Sequence, residues 1–335
     1  MSVFQTPPPD FSLNDVSELV QTHYGMEVRV KALDSERDQN FLIQNGGQSF
    51  VLKISNPAEE FDVLDMQNKV MQHIINEDSR FDLTLPVPSL NSEKIVQVEK
   101  DGQTNWVRIL KYIHGQFLKD STHHNSMLFE LGTFLARLDH AMEGFDHPAA
   151  HRSFPWDGAN TDFLVSHKKF IKNNREIVDH FLEQYENNVL IHESHLRKMV
   201  IHNDGNDHNV LVNGNGETTG IIDFGDMIYT FITLEPAVCM AYVALEREEP
   251  LSSISEVLKG YNQSFPLNEF ELKSALYLMC LRLCITITMA AYRKSLFPDN
   301  AYISVNENQA WAFLEKMKHE DLNEWSKQLT AYVES

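Results

Sequence analysis

The chain has 335 residues, enough for two lobes with their own cores. Its 28 lysines and arginines stand against 48 aspartates and glutamates, a net charge of −20, which repels nucleic acid and anionic membrane and favours cationic ligands. Its three cysteines, Cys239, Cys280 and Cys284, form no CxxC pair, and the N-terminus lacks the basic and apolar regions of a signal peptide, so a cytoplasmic protein with reduced thiols is expected.

The first predicted element is a helix in "SLNDVSELVQTHYG", opening with Ser12 and an acid three residues later and closing at Gly25. Residues 28–34, "VRVKALD", read as a strand. "NFLIQNGGQSFVLKIS" (40–55) reads as two strands around Gly46–Gly47. After Pro57 the pattern turns helical, with Leu64, Gln67, Met71 and Ile74 on one face. "PVPSL" interrupts it. "KIVQVEK" and "QTNWVRILKYI" then form a second hairpin turning at Asp101–Gly102. From Asn125 the apolar spacing of Leu128, Leu131, Phe134, Leu135, Leu138 and Met142 is helical, and further helices are expected at about 160–186, 231–247, 252–262, 268–293 and 308–332. The apolar stretch 275–292 carries Arg282 in its middle and reads as a buried helix rather than a membrane span. The expected fold class is α+β: an N-terminal β-rich lobe over 1–113, a hinge at about 109–113, and a mainly helical lobe over 114–335.

Two short strands, "NVLVN" and "TTGIID", interrupt the helical half. Before the first lies "HNDGNDHN" (202–209); the second runs into "IDFGD" (222–226). An antiparallel hairpin returns to its origin, so Asn209 and Asp223 emerge side by side near Asp204. Two hard-oxygen ligands beside a second carboxylate suit Mg²⁺ and the phosphates it carries, and Asp204 is placed to take a proton from an acceptor hydroxyl. H-x-D-x-x-x-x-N followed by D-F-G is the part list of kinase-type phosphoryl transfer. His202 reads as structural within that loop. The same logic asks for a strand lysine, supplied by Lys53 in "FVLKIS", and for a loop over the phosphates. "DSERDQNF" (34–41) has no glycine but offers Ser35, Arg37 and Asn40. Kinases pair the lysine with a glutamate on a helix; here Gln67 stands at that place, with Asp65 nearby. Leu110 and Tyr112 lie in the hinge, where a purine would be held.

These residues resemble the aminoglycoside phosphotransferase and choline kinase superfamily, which has a protein-kinase-like fold. "ERDQNF", "VLKISNP", "LDMQN", "VRILKYIHG", "LARLDHAMEGFDHPAAHRSFPWD" and "IDFGDMIYT" look most like its hydroxylysine kinase subgroup, over about residues 33–245. The resemblance implies a Mg²⁺-dependent kinase for a small cationic amino alcohol, with GTP beside ATP as donor. 5-Hydroxylysine is the first expectation for the acceptor. Homoserine, choline, ethanolamine and an aminoglycoside are the alternatives, and a nucleotide-binding pseudokinase is the alternative from another class. Trp156, Asp157, Asp226, Glu235 and Arg282 are the residues that could meet the acceptor. For Trp156 and Asp157 a packed ring and a helix cap are the competing reading, and for Arg282 a structural carboxylate partner is.

Overall fold

The structure, a computed structural model, describes residues 2–245, 247–298, 300 and 306–335, and all that follows concerns these. The chain divides into two compact units, Met1–His114 and Gly115–Ser335.

The first unit opens with α1 (Leu13–Tyr24). Ser12 and Asp15 form a reciprocal capping box, and Gly25 ends the helix in the left-handed region. An antiparallel sheet follows, built from β1 (Arg29–Leu33), β2 (Gln39–Asn45), β3 (Gln48–Ile54), β4 (Pro86–Val87), β5 (Val96–Lys100) and β6 (Gln103–Lys111). Its order is β1-β2-β3-β6-β4, with β5 also on β6. The β2–β3 turn needs positive φ at both Gly46 and Gly47, the geometry of a two-residue hairpin. Strand alternation sends Phe41, Ile43, Leu52, Ile54, Val107 and Ile109 into one core with Val16, Leu19 and Val20 of α1. Lys53 therefore faces the opposite side, where α2 (Phe61–Glu77) lies across the sheet.

The second unit contains β7 (Gln116–Phe117), α3 (Asn125–Met142), α4 (Asp162–His167), α5 (Glu176–Asn188), β8 (Lys198–Ile201), β9 (Val210–Val212), β10 (Thr218–Ile221), β11 (Ile228–Phe231), α6 (Leu234–Val243), α7 (Pro250–Ser264), α8 (Glu269–Leu296), α9 (Glu307–Met317) and α10 (Leu322–Glu334). Two expected helices are broken. The segment 160–186 becomes α4 and α5 because Asn174 adopts φ +58° before α5. The segment 308–332 becomes α9 and α10 because the Asp321 carboxylate accepts from the backbone of Asn323 and Glu324, capping a new helix. A strand pair was missed: β8 pairs with β11 from Ile201↔Ile228 to Lys198↔Phe231, so the helix expected from 231 begins at Leu234.

The α3–α7 crossing is close. A Cβ on Gly132 would stand 2.0 Å from the Val257 carbonyl oxygen, and one on Gly260 would stand 2.0 Å from that of Phe129. The Thr133 hydroxyl donates across the crossing to the Gly260 carbonyl, and the Tyr261 hydroxyl donates to the buried Asp139 carboxylate. The 28-residue α8 is long and apolar enough to cross a membrane, but 94% of its most apolar window is buried within the protein. It begins at a capping box of Asn268 and Glu271, and Glu271 also receives the Arg197 guanidinium at 2.7 Å.

Candidate active site

The two polar loops of the second unit run side by side because the strands at both of their ends pair: β8 with β11, and β9 with β10. The Ile222 amide donates to the Asn209 carbonyl at 3.0 Å, joining the loops where the two expected metal ligands emerge. His202 is fully buried. Its Nδ1 accepts from the Asp204 amide at 3.2 Å, and its ring meets the edge of Phe224 with centroids 4.7 Å apart. Burial pushes its pKa down to about 4, so the ring is neutral and structural.

Asn203 adopts φ +63°, a conformation asparagine tolerates better than most residues. Its amide donates to Glu235 Oε2 at 2.8 Å, and its side chain donates to the carbonyls of Asp226 (3.2 Å) and Trp156 (3.3 Å). Arg152 secures the second loop from outside, donating to the carbonyls of Gly225 (2.7 Å) and Met227 (3.3 Å).

The Asp204 carboxylate is held by three side chains. Oδ1 accepts from Asn206 Nδ2 at 2.8 Å and from Arg282 Nη2 at 2.9 Å; Oδ2 accepts from Asn209 Nδ2 at 2.6 Å. Burial, with the negative charge of Asp226, pushes its pKa up to about 7, against the pull of Arg282. A base poised near neutral pH is suited to proton abstraction. Asn209 uses Nδ2 for both of its bonds to Asp204, so Oδ1 is the oxygen its amide has left to offer a cation. Asp223 adds a carboxylate on a left-handed residue, with a long contact of 3.3 Å from the Gly225 amide. Among the described residues no cluster of three or more acids, histidines or cysteines forms a cage. An amide oxygen with one carboxylate nonetheless fits Mg²⁺, which completes its octahedron with water and phosphate oxygens.

In the first unit, Lys53 stands directly across from Asn40 on β2 and from Arg108 on β6. Its Nζ lies 3.8 Å from Asp38. Asp38 also accepts from the Asn56 amide at 3.0 Å, while Asn56 Nδ2 donates to the Arg37 carbonyl at 3.1 Å and the Ser35 hydroxyl donates to the Asp38 carbonyl. The glycine-free loop is thus stapled by the buried Asn56 of "KISNP". Leu110 lies buried on β6 and Tyr112 just beyond it, its ring on that of His114.

Several of the candidate residues have partners within the fold. Gln67 Oε1 accepts from Arg108 Nη2 at 2.8 Å, which gives the buried Arg108 a partner on α2. Arg37 lies over the Phe4 ring. Asp157 accepts from the Thr230 hydroxyl at 2.6 Å and from the Ala159 amide, and so braces a turn onto β11. Glu235 is fully buried and holds the Asn203 amide. Arg282 is paired with Asp204 and donates Nη1 to the Trp156 carbonyl at 3.3 Å. Burial explains the partners of Glu235 and Arg282: a charge withdrawn from water needs a partner within the fold. Asp226 is buried beside Asp204, and Trp156 lies half-buried with the Arg282 guanidinium 4.4 Å above its ring. Asn56, Arg108 and Arg152 were not singled out from sequence. A buried arginine in the middle of "WVRIL" was the one available signal.

The family described as Phosphotransferase enzyme family matches residues 29–266. The chain belongs to this family. It is a phosphotransferase of the small-molecule kinase type, and its antiparallel first unit and helical second unit are the protein-kinase-like architecture of that family. Hydroxylysine kinase from Mus musculus is 29% identical over 337 aligned residues, covering 92% of this chain and 90% of that one. Hydroxylysine kinase from Bos taurus is 28% identical with the same coverage. Among solved structures, amicoumacin kinase hAmiN superposes with a TM-score of 0.73 at 14% identity, covering 94% of this chain and 97% of that one. The microcompartment-associated aminopropanol kinase gives 0.62 at 15% identity, covering 95% and 94%.

Proposed function

We propose that this phosphotransferase moves the γ-phosphoryl group of ATP or GTP to the hydroxyl of a small cationic amino alcohol, with 5-hydroxylysine as the acceptor. The observation that carries the reading is the convergence of Asp204, Asn209 and Asp223 on two joined loops. In the proposed reaction Asp204 orients the acceptor hydroxyl and takes its proton, Asn209 Oδ1 and Asp223 hold Mg²⁺, and Lys53 is the cation for the nucleotide phosphates. Mg²⁺, when bound, neutralises charge on the transferring phosphate oxygens. The protein's own contribution is positioning and fixed charge.

The acceptor assignment draws on the hydroxylysine kinases that align along nearly the whole chain, and on charge. Asp204, Asp223 and Asp226 lie together beside Arg152 and Arg282, and the whole chain carries −20. A diamine with one carboxylate suits such a field better than homoserine, which has a single ammonium. A panel of 5-hydroxylysine, homoserine, choline, ethanolamine and an aminoglycoside, each with ATP and with GTP, tests the proposal. The expected result is the highest kcat/KM for 5-hydroxylysine. A higher value for another acceptor overturns the acceptor assignment, and no turnover with any of them, together with no hydrolysis of the bound nucleotide, overturns the reading in favour of a pseudokinase.

A further inference from the structure

We propose that Arg282 is a positioning residue for phosphoryl transfer: it locks the Asp204 carboxylate so that one oxygen, Oδ2, is left to receive the acceptor proton. The inference rests on the reading of Asp204 as the base.

An ionised carboxylate has about four lone-pair directions, two on each oxygen. At Asp204 both directions on Oδ1 are taken, by Arg282 Nη2 at 2.9 Å and Asn206 Nδ2 at 2.8 Å. On Oδ2 one is taken, by Asn209 Nδ2 at 2.6 Å. One direction remains, on the oxygen nearest the metal ligand Asn209. The acceptor O–H therefore has a single docking point. In the step, its proton passes to Asp204 Oδ2, the acceptor oxygen bonds to the γ-phosphorus, and the bond from that phosphorus to the β–γ bridging oxygen breaks, releasing the nucleoside diphosphate.

Arg282 is built for this task. Its side chain is 2% exposed while that of Asp204 is 17% exposed, so the arginine approaches from inside and leaves the carboxylate's open edge to a substrate. The guanidinium is fixed independently of Asp204 by its bond to the Trp156 carbonyl and by stacking on the Trp156 ring. It projects from the middle of α8, whose long buried body resists displacement. A planar fork held at three points transmits that rigidity to the carboxylate, as a single-point ammonium could not.

The test is a double-substitution cycle of Arg282→Met and Asp204→Asn, with Arg282→Lys alongside, assayed for transfer to 5-hydroxylysine and for the slower hydrolysis of the nucleotide by water. Circular dichroism and thermal unfolding establish that each variant is folded under assay conditions. Arg282→Met is expected to lower kcat about 10- to 100-fold with both KM values within about three-fold, the cost of misplacing a base by an ångström or so. Arg282→Lys is expected to fall between it and the wild type. The double variant is expected to be no slower than Asp204→Asn alone, because the arginine acts only through that carboxylate. Independent, multiplying losses overturn the proposal. So does a raised acceptor KM at unchanged kcat, which would make Arg282 a substrate contact. Failure of the wild type to phosphorylate 5-hydroxylysine overturns the acceptor assignment alone, and the hydrolysis rates then decide the role of Arg282.

Discussion

Asp204 cannot be altered without altering the surroundings of Arg282, and this separates two substitutions that look alike. Asp204→Ala removes the base and leaves a buried guanidinium without its carboxylate, at a cost on the order of 3 kcal/mol. Asp204→Asn removes the base and keeps an oxygen for Arg282. Both are expected to lower kcat by about two to four orders of magnitude with nucleotide affinity kept. Thermal unfolding should show a clear loss of Tm for the alanine variant and a small one for asparagine; equal losses would show that the asparagine oxygen does not stand in for the carboxylate at Arg282. If Asp223 holds Mg²⁺ as proposed, Asp223→Asn weakens a hard anionic ligand, and titrating Mg²⁺ against activity should show a higher half-saturating concentration with the fold intact. Glu235 supplies a pH dependence. Burial foremost, with Asp204 adding repulsion against the pull of the Asn203 amide and Arg282, raises its carboxyl to about 7, and it also raises Asp139. The folded state therefore holds a proton that the unfolded chain releases above about pH 4.5, so this contribution to stability is full below that pH and is lost as pH rises to about 7. Glu235→Gln should flatten that decline in a Tm-against-pH series; an unchanged slope would place the titration elsewhere.

At the level of elements, the crossing of α3 and α7 depends on two glycines that take no part in the chemistry. Glycine inside a helix costs roughly 1 kcal/mol against alanine, so propensity alone disfavours both. Here the absence of a Cβ lets each helix rest against a carbonyl of the other. Gly132→Ala or Gly260→Ala would force the backbones apart, with an expected loss of about 3 kcal/mol and a Tm lower by on the order of 10 °C in a melt followed by circular dichroism. A gain in Tm from the better helix former would mean that the helices can separate freely. Neither glycine's role was legible in the apolar spacing, which marked Leu128, Leu131 and Leu135 of α3 by their period alone. Hairpins were legible where the turn chemistry is local, as at Gly46–Gly47 and Asp101–Gly102. The β8–β11 pair was not, because "KMVI" and "IYTF" lie far apart in sequence with no turn between them to signal pairing.

For the whole molecule, the boundary read between residues 113 and 114 lies one residue from the division at His114–Gly115. A change from alternating to helical apolar spacing is a property of long segments and survives local misreadings. The loop motif was legible for the same reason that it is chemically specific: its residues are close in sequence. The partners of its residues were not. Arg282 stands 78 residues beyond Asp204, and outside the motif Arg108 lies 41 beyond its partner Gln67. The net charge of −20 acts at this scale too. If the acceptor is a cation drawn by that field, kcat/KM for 5-hydroxylysine should fall several-fold between about 0.02 and 0.5 M NaCl. The value for homoserine, which has no net charge, should move less; equal sensitivity would assign the effect to the nucleotide.

The tie between Asp204 and α8 also sets an order on the birth of the molecule. A ribosome releases the loop 202–209, and the whole matched family segment up to residue 266, before it has made the arginine that steadies Asp204. Until α8 has emerged and docked, the nascent chain carries every residue of the loop motif while the Asp204 carboxylate lacks its Arg282 partner. If Asp204 is the base, as proposed, phosphoryl-transfer competence is acquired late in synthesis, and a chain terminated shortly before Arg282 is expected to display the complete motif and to transfer phosphoryl groups poorly.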